Sequence, residues 1–500
     1  MSASLARLTG GRVLARNSLL NLVGLVLPMA AALLTLPLVI HGLGTERFGI
    51  LMVAWVVVGY FGLFDLGFGR ALTKLVAERV ATGAREELPA LVWTALVLTF
   101  ALGAVGALLL AGISPWLVRG VLNIPPGLQR EALHSFYLLA VSLPWVISTT
   151  GFVAILEGTQ SFGAVNALRV PMGVLNYAAP LAVLPFTKSL TVVVAVLITL
   201  RLLAWVGHLV ASLRVLPVLR QGIVLERARV RTLARVGGWM AVSNTVSPMM
   251  THMDRFLVGA LISMSAVTYY VTPYELVTKF TLVPTSLMAV FFPAFAASFA
   301  HDRSHCRVLF DRGLRAIFLV IFPATLIVVT LAHEGMALWV GEEFADHSAP
   351  ILRWLALGVF INCLAQVPFS FVQGIGRPDI TGKLHLAELP LYVAAIWGLS
   401  RFFGLEGVAM AWVFRVILDT AVLLVSAARF LPRGEELLRD AMRMIVATVF
   451  IFGLAILLQG LAMKVAFLLG TLLVFGLVAW WCILEPGERA LVQRRYATES

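Results

Sequence analysis

The sequence predicts an all-α polytopic membrane protein with about fourteen transmembrane helices, and three observations support this fold class. Hydrophobic residues make up 60% of the 500-residue chain and charged residues only 13%, with a mean hydropathy of +0.94. A soluble domain would carry about 25% charged residues. Apolar stretches of about 20 residues, enough to cross a ~30 Å hydrocarbon core, follow one another with no connection long enough for a soluble domain.

Each predicted span is an apolar run bounded by charged residues, glycine or proline. In chain order the spans cover residues 18–41, 48–66, 88–112, 136–156, 163–185, 189–213, 236–262, 266–297, 314–340, 349–373, 384–403, 407–430, 442–461 and 464–484.

An internal repeat divides these spans. Arg201, followed by residues 214–217 (RVLP), matches Arg415, followed by residues 429–432 (RFLP), at an offset of about 214–215 residues. Each half has six spans, an even number, so both halves begin on the same side of the membrane. The repeat therefore predicts two six-helix bundles related by an axis along the membrane normal. The predicted domains are residues 1–225, residues 226–435, and residues 436–500 with two additional helices and a tail.

The basic residues are distributed asymmetrically. The net charge is +12, and most of the 38 Lys and Arg lie on segments that face the cytoplasm when the N-terminus is inside. Outer segments carry isolated cations such as Arg47 and Lys188. This pattern follows the positive-inside rule and places both termini in the cytoplasm. Because the cations are not gathered on one basic domain, a nucleic-acid partner is not expected.

Several motifs of enzymes are missing. The sequence has no G-x-x-x-x-G-K-[ST] phosphate loop, so the chain itself is not expected to hydrolyse ATP. It also has no D-x-D pair to hold a nucleotide-sugar metal ion and no large outer loop. We therefore expect no catalytic residue, cofactor or metal, and these absences weigh against a membrane glycosyltransferase or polymerase.

Two arginines lie inside predicted spans at equivalent positions of the repeat, Arg201 and Arg415. A charge within the hydrocarbon costs at least about 2.5–3.5 kcal/mol, so it is expected to face a wet cavity or a partner. Two guanidinium groups facing one cavity would suit an anionic substrate such as a pyrophosphate. Alternatively, each is neutralised within its own bundle, and Asp419 lies one turn beyond Arg415, where an ion pair is possible.

Spans seven and eight carry a second set of charges. Asp254 and Arg255, with His252, lie on span seven, and Glu275 and Lys279 lie one turn apart on span eight. These groups could form one network that contacts the substrate or couples transport to a proton or cation. The alternative is a self-neutralised set that orients two helices.

Residues 65–74 (DLGFGRALTK) follow span two. Asp65 opens this segment, and Arg70 lies within it. One interpretation is a gate or a substrate-entry element; the other is a helix end with glycines at a close crossing and cations at the lipid headgroups. Glu388, early in span eleven, is interpreted as structural.

Short motifs in a fixed order carry a resemblance to a known family. They are Arg16-Asn17, residues 44–49 (GTERFG), residues 65–67 (DLG), Asp254-Arg255, and residues 376–378 (GRP) with residues 383–390 (KLHLAELP). Over about residues 15–430 the chain resembles the polysaccharide transporters. These are the O-antigen-type lipid-linked oligosaccharide flippases of the multidrug/oligosaccharidyl-lipid/polysaccharide exporter superfamily.

The resemblance implies a V-shaped pair of bundles that works by alternating access in the bacterial inner membrane. The substrate would be an undecaprenyl-pyrophosphate-linked glycan, carried from the inner to the outer leaflet. The other expected partners are membrane lipid, a proton or sodium gradient, and polysaccharide polymerase components. A cationic cavity would receive the pyrophosphate, and the candidate residues are Arg201, Arg415, Arg255, Lys279 and Arg70. The candidates for coupling or gating are Asp65, Asp254, Glu275 and Asp419.

The chain departs from many relatives in having two spans beyond twelve. These spans could form a lipid-tail groove, as in the related lipid II flippases, or be accessory. Two other functions stay open on the sequence. One is a cation-coupled multidrug exporter of the same superfamily, which would favour acidic sites within the membrane. The other is a membrane glycan polymerase or ligase, which would need a catalytic outer loop.

Overall fold

A computed structural model describes residues 11–63, 68–226, 253–299 and 302–483. In these ranges all regular secondary structure is helical, which confirms the predicted fold class. The chain separates into two compact units, Met1–Thr268 and Tyr269–Ser500. The predicted domain limits, between residues 225 and 226 and between residues 435 and 436, stay a prediction.

The first unit contains seven helices before the central gap in the described residues. They are α1 (Gly11–Leu43), α2 (Thr45–Leu63), α3 (Phe68–Thr82), α4 (Leu88–Trp116), α5 (Pro126–Gly158), α6 (Phe162–Val183) and α7 (Leu190–Val215). After the gap come α8 (253–261) and the start of α9 (Met264–Val277).

The second unit begins within α9 and contains the remaining described helices. They are α10 (Leu282–Phe299), α11 (Arg303–Thr330), α12 (Ala332–Trp339), α13 (Glu342–Gly374), α14 (Pro378–Phe430), α15 (Gly434–Leu457) and α16 (Leu461–Val478).

Ten helical segments of the described residues are long and apolar enough to cross a membrane. Helices lie over thirteen of the fourteen predicted spans, and only residues 253–261 of the seventh span are described. Some predicted spans are merged or fall outside the ten, so the number fourteen stays a prediction. The chain is a multi-pass membrane protein, because apolar helices of this length recur through both units.

Helix α14 is two spans joined at a sharp turn. A continuous helix of its length would extend about 80 Å, far more than a bilayer. Gly404 interrupts it with φ 56° and ψ −132°, a conformation that favours glycine because a Cβ would be strained there. The segments 378–403 and 405–430 correspond to predicted spans eleven and twelve. They form a hairpin, so side chains of the two segments meet at the same depth.

A carboxylate fixes the start of α7 in the first unit. Glu131 of α5 accepts a hydrogen bond from the backbone N–H of Leu190, the first residue of α7, and pairs with Arg47 Nε at 3.0 Å. An anion at a helix N-terminus satisfies a free N–H and complements the helix dipole. Arg47 belongs to the sequence motif at residues 44–49, so this motif holds α2, α5 and α7 together.

The same motif supports a close backbone contact to the start of α9. A Cβ built on Gly49 would lie 1.8 Å from the carbonyl oxygen of Met264, so only glycine allows this approach. Thr268 donates a 2.6 Å hydrogen bond to the carbonyl of Thr45. Asn123 holds the end of α8, donating from its backbone N–H to Gly259 O at 3.0 Å. The segment 253–268 is therefore packed into the first unit.

Helices α15 and α16 pack on the second unit through aromatic rings. Phe322 of α11 lies 4.9 Å from Phe475 of α16 and 5.5 Å from Phe452 of α15, measured between ring centroids. Lys464 Nζ, at the start of α16, lies 2.7 Å from Glu334 Oε1 of α12, and its side chain is only 8% exposed. The two additional helices are thus an integral part of this unit.

We expect Phe452→Ala to lower the stability of the protein, because the ring is 3% exposed and its removal leaves a cavity against α11. A loss of about 3 kcal/mol is the lower end for a buried Phe→Ala change. Thermal unfolding of the detergent-purified protein measures it. Phe450→Ala, on the same helix with 72% exposure, is the matched control and is expected to leave the melting temperature unchanged. Equal effects of both variants would contradict this packing.

Candidate functional site: buried charges of the two units

Arg201 lies near the middle of α7 in the first unit. About 16 Å of helix separates it from Leu190. It shares a helix face with the buried His208, whereas the exposed Leu203 and Val206 lie on the opposite side. Its side chain is partly buried. Among the described residues, no carboxylate lies within ion-pair distance of Arg201.

Next to Arg201, α7 is held against α5 by a tryptophan. Trp205, one turn further along α7, donates a 2.8 Å hydrogen bond from Nε1 to Ser148 Oγ of α5 and stacks edge-on with Trp145 at 5.0 Å. These contacts fix α7 against α5 and leave the Arg201 guanidinium as a cation in the interior part of the span.

Arg415 has different surroundings, although the predicted repeat places it at a position equivalent to that of Arg201. Its Nη1 lies 3.8 Å from Glu388 Oε2, and its guanidinium stands 5.4 Å from the centroid of the Tyr392 ring. The side chain is 14% exposed. The sequence predicts Asp419 as a possible ion-pair partner of Arg415. The structure shows that Glu388, across the α14 hairpin, also lies close to Arg415. The alternative of neutralisation within its own bundle therefore has direct structural support.

Arg415 belongs to a cluster formed by the two segments of α14. His385 and Glu388 lie three residues apart on one segment, and Asp419 lies one turn from Arg415 on the other. His385 Nε2 is 3.8 Å from Asp419 Oδ1. One ligand-type atom from each of His385, Glu388 and Asp419 lies within 4.8 Å of the other two. We refer to His385, Glu388, Arg415 and Asp419 as the α14 cluster.

Sequence reasoning placed only part of this cluster. Asp419 and Arg415 are among the predicted site residues, whereas His385 appears only within a motif and Glu388 is interpreted as structural. The spacing of three residues between His385 and Glu388 puts them on one helix face and was the available signal. What the sequence could not show is the hairpin register that brings this face against Asp419.

Asp254 and Arg255 lie in α8 and are buried, with 0% and 7% exposure. The Asp254 carboxylate accepts a 2.8 Å hydrogen bond from the backbone N–H of Arg255. Both residues belong to the first unit, held by the contacts of Asn123 and Met264. His252, which was expected beside them, lies outside the described residues.

Glu275, in the last turn of α9, and Lys279, in the 3-10 turn that follows, form the predicted pair in the second unit. Lys279 Nζ lies 3.2 Å from Glu275 Oε2, and both side chains are half-buried. The pairing satisfies both charges locally. A joint network with Asp254 and Arg255 stays a prediction.

The two candidates after span two are only partly described. Asp65 lies outside the described residues. Arg70 lies in the first turn of α3. Their assignment to a gate or to substrate entry stays a prediction.

Comparisons with known proteins agree with this architecture. The model of a family described as "Polysaccharide biosynthesis protein" matches residues 14–299. A Shigella flexneri protein named "Putative O-antigen transporter" is 31% identical over 411 residues, covering 82% of this chain and 96% of the relative.

Two solved structures share the fold. One is described as the lipid II flippase MurJ in an inward closed conformation, with a TM-score of 0.69 and 12% identity, covering 93% of this chain and 99% of that one. The other is an inward-facing multidrug resistance MATE family transporter of the MOP superfamily, with a TM-score of 0.67 and 14% identity, covering 84% and 99%. The match over more than half of the sequence, together with the Shigella relative, shows that this chain belongs to the polysaccharide biosynthesis protein family.

Proposed function

We propose that this protein is a flippase that moves an undecaprenyl-pyrophosphate-linked oligosaccharide from the inner to the outer leaflet by alternating access. The relative with which it shares 31% identity is named as an O-antigen transporter, and the MurJ structure that shares its fold is a lipid flippase. The protein is accordingly a transporter and not an enzyme. Its place is the bacterial inner membrane, with both termini in the cytoplasm as the distribution of basic residues indicates.

The observation that carries the proposal is Arg201. A cation held at mid-span, away from the exposed apolar face of α7 and without a carboxylate partner among the described residues, is expensive unless a ligand or water meets it. A pyrophosphate offers several oxygens to a guanidinium, which binds them bidentately. In our proposal Arg201 contacts the pyrophosphate while the lipid tail stays in the bilayer.

The other proposed substrate cations contribute less directly. Lys279 and Arg415 each have an acidic partner within their own unit, at 3.2 Å and 3.8 Å. A pyrophosphate would have to compete with these carboxylates. Arg255 and Arg70 stay candidates from the sequence. Asp65, Asp254, Glu275 and Asp419 stay candidates for coupling or gating.

A multidrug exporter is the second candidate function, because a MATE transporter shares the fold. That likeness is at 14% identity and supports the fold alone. Arg201 favours an anionic substrate over a cationic drug, since like charges at mid-span repel. A glycan polymerase or ligase lacks support from the named relatives.

We expect Arg201→Ala to reduce flipping about 10- to 100-fold, because a hydrogen bond to a charged group contributes about 1.5–3 kcal/mol. The measurement is protection of a pyrophosphate-linked oligosaccharide lipid from an external glycosidase in proteoliposomes. Arg201→Lys is expected to retain intermediate activity, since lysine keeps the positive charge but lacks the planar guanidinium that binds two oxygens at once. Arg220→Ala, an exposed arginine of the same unit, is the control. Full activity of Arg201→Ala would exclude this residue from the substrate path.

Arg415→Gln is expected to lower the melting temperature, because it leaves buried carboxylates without their cation. Adding Asp419→Asn removes one negative charge and is expected to restore stability. The double variant separates two roles of Arg415. If Asp419→Asn alone retains flipping, restored stability without flipping in the double variant would assign Arg415 to substrate binding, whereas recovery of both would assign it to the structure of the cluster.

A further inference from the structure

We propose that the α14 cluster is a proton-binding site in which the Glu388 carboxyl group carries one proton that it donates to Asp419. The inference concerns ion binding and goes beyond the flippase function. It rests on the geometry of four side chains of the second unit. It does not depend on which substrate the protein carries.

Glu388 is the most buried member of the cluster. It is 1% exposed, and neither of its carboxylate oxygens receives a hydrogen bond from an N–H or O–H donor. The Arg415 guanidinium stands at 3.8 Å, beyond hydrogen-bonding distance. A buried carboxylate without donors pays its full desolvation cost, and protonation removes that cost.

The neighbour that does reach Glu388 is another carboxyl group. One carboxylate oxygen of Glu388 and one of Asp419 lie within 4.8 Å of each other, and Asp419 Oδ1 likewise receives no hydrogen bond. Two carboxylates cannot hydrogen-bond, because both are acceptors only. A proton on one of them turns this repulsive contact into an O–H···O⁻ hydrogen bond, as in other carboxyl pairs that share a proton.

The charge balance requires one added positive charge. With His385 neutral, two carboxylates and one guanidinium leave the cluster at −1, which is costly within a membrane. One proton makes it neutral. A divalent ion would leave a net positive charge beside Arg415, and hard divalent cations prefer six or more oxygen ligands, which these residues do not provide.

The proton would be held in the interior of the membrane. About 24 Å of helix separates Glu388 from the turn at Gly404, and about 22 Å separates Asp419 from it. Phe369 of α13 stacks on His385 with 6.2 Å between ring centroids and covers that side. Asp419 and His385 retain 13% and 21% exposure, so exchange with water is possible through them.

No other charged group of the described helices packed on α14 faces the cluster. Glu275 of α9 pairs at 3.2 Å with Lys279 of the 3-10 turn that follows. On α14 itself, Lys383 and Arg429 are exposed, and Asp379 pairs with Arg377 at 2.8 Å.

The titratable and charged residues of the other two helices packed on α14 are also accounted for. The buried thiol of Cys363 lies about 9 Å along α13 from Phe369. The other titratable residues of α13 lie about 24 Å or more from Phe369, and those of α15 are exposed; they are Glu342, Glu343, Asp346, His347 and Arg353 on α13, and Glu435, Glu436, Arg439, Asp440 and Arg443 on α15.

The test is infrared difference spectroscopy of the purified, lipid-reconstituted protein across a pH titration, without any glycan. We expect a protonated-carboxyl C=O band that disappears in Glu388→Gln. In Asp419→Asn the band is expected to weaken, because Arg415 then balances the Glu388 carboxylate without an added proton. Asp440→Asn, at an exposed carboxylate paired with Arg443 at 3.3 Å, is the matched control and should leave the band unchanged.

Three results would overturn the proposal. The first is the absence of such a band in the unmodified protein at every pH at which it is folded. The second is a band that persists in Glu388→Gln or is unchanged in Asp419→Asn. The third is a band that sodium chloride removes at constant pH when choline chloride does not, which would make the occupant a sodium ion.

Because both variants are nearly isosteric with the residues they replace, and each has its own expected result, one misfolded variant leaves the other decisive. A failure of the flipping assay would not affect any of these outcomes.

Discussion

Hydrocarbon offers no hydrogen-bond partner, and this constraint governs the whole molecule. Every backbone N–H and C=O within the bilayer must be satisfied inside the chain, so the described residues form helices and no strands. Where a helix is interrupted or begins, a particular residue stabilises the backbone there. Gly404 turns α14 back on itself, and Glu131 caps the first residue of α7. The fold follows from this requirement more than from any particular core contact.

The same constraint makes each buried charge informative. Most charged side chains inside the two units are compensated within one unit, as in the pairs Glu275–Lys279 and Glu334–Lys464 and in the α14 cluster. Arg201 has no carboxylate partner among the described residues. The proposed division of labour follows: Arg201 meets the pyrophosphate, and the α14 cluster holds a proton. The transporter would then have two separate binding sites, one for an anion in the first unit and one for a proton in the second.

The structure also explains why particular residues occur in the sequence motifs. Within residues 44–49, Arg47 binds Glu131 and thereby orients α7, while Gly49 lacks the side chain that would collide with the Met264 carbonyl. The motif at residues 383–390 contains His385 and Glu388, which form one wall of the α14 cluster. In both cases the residues that carry the family resemblance are those that make contacts between helices.

The sequence by itself determined the fold class, the helical spans in the described residues, and the family, because hydropathy and short motifs are local properties of the chain. It also identified Arg201, Arg415 and the Glu275–Lys279 pair, since a charge in an apolar run is visible without coordinates. Only the tertiary structure decided which charges are compensated. Arg201 and Arg415 look equivalent in the repeat, yet Glu388 reaches Arg415 across a hairpin. Partners of this kind depend on the register between two helices, and that register is set by packing and by the turn at Gly404.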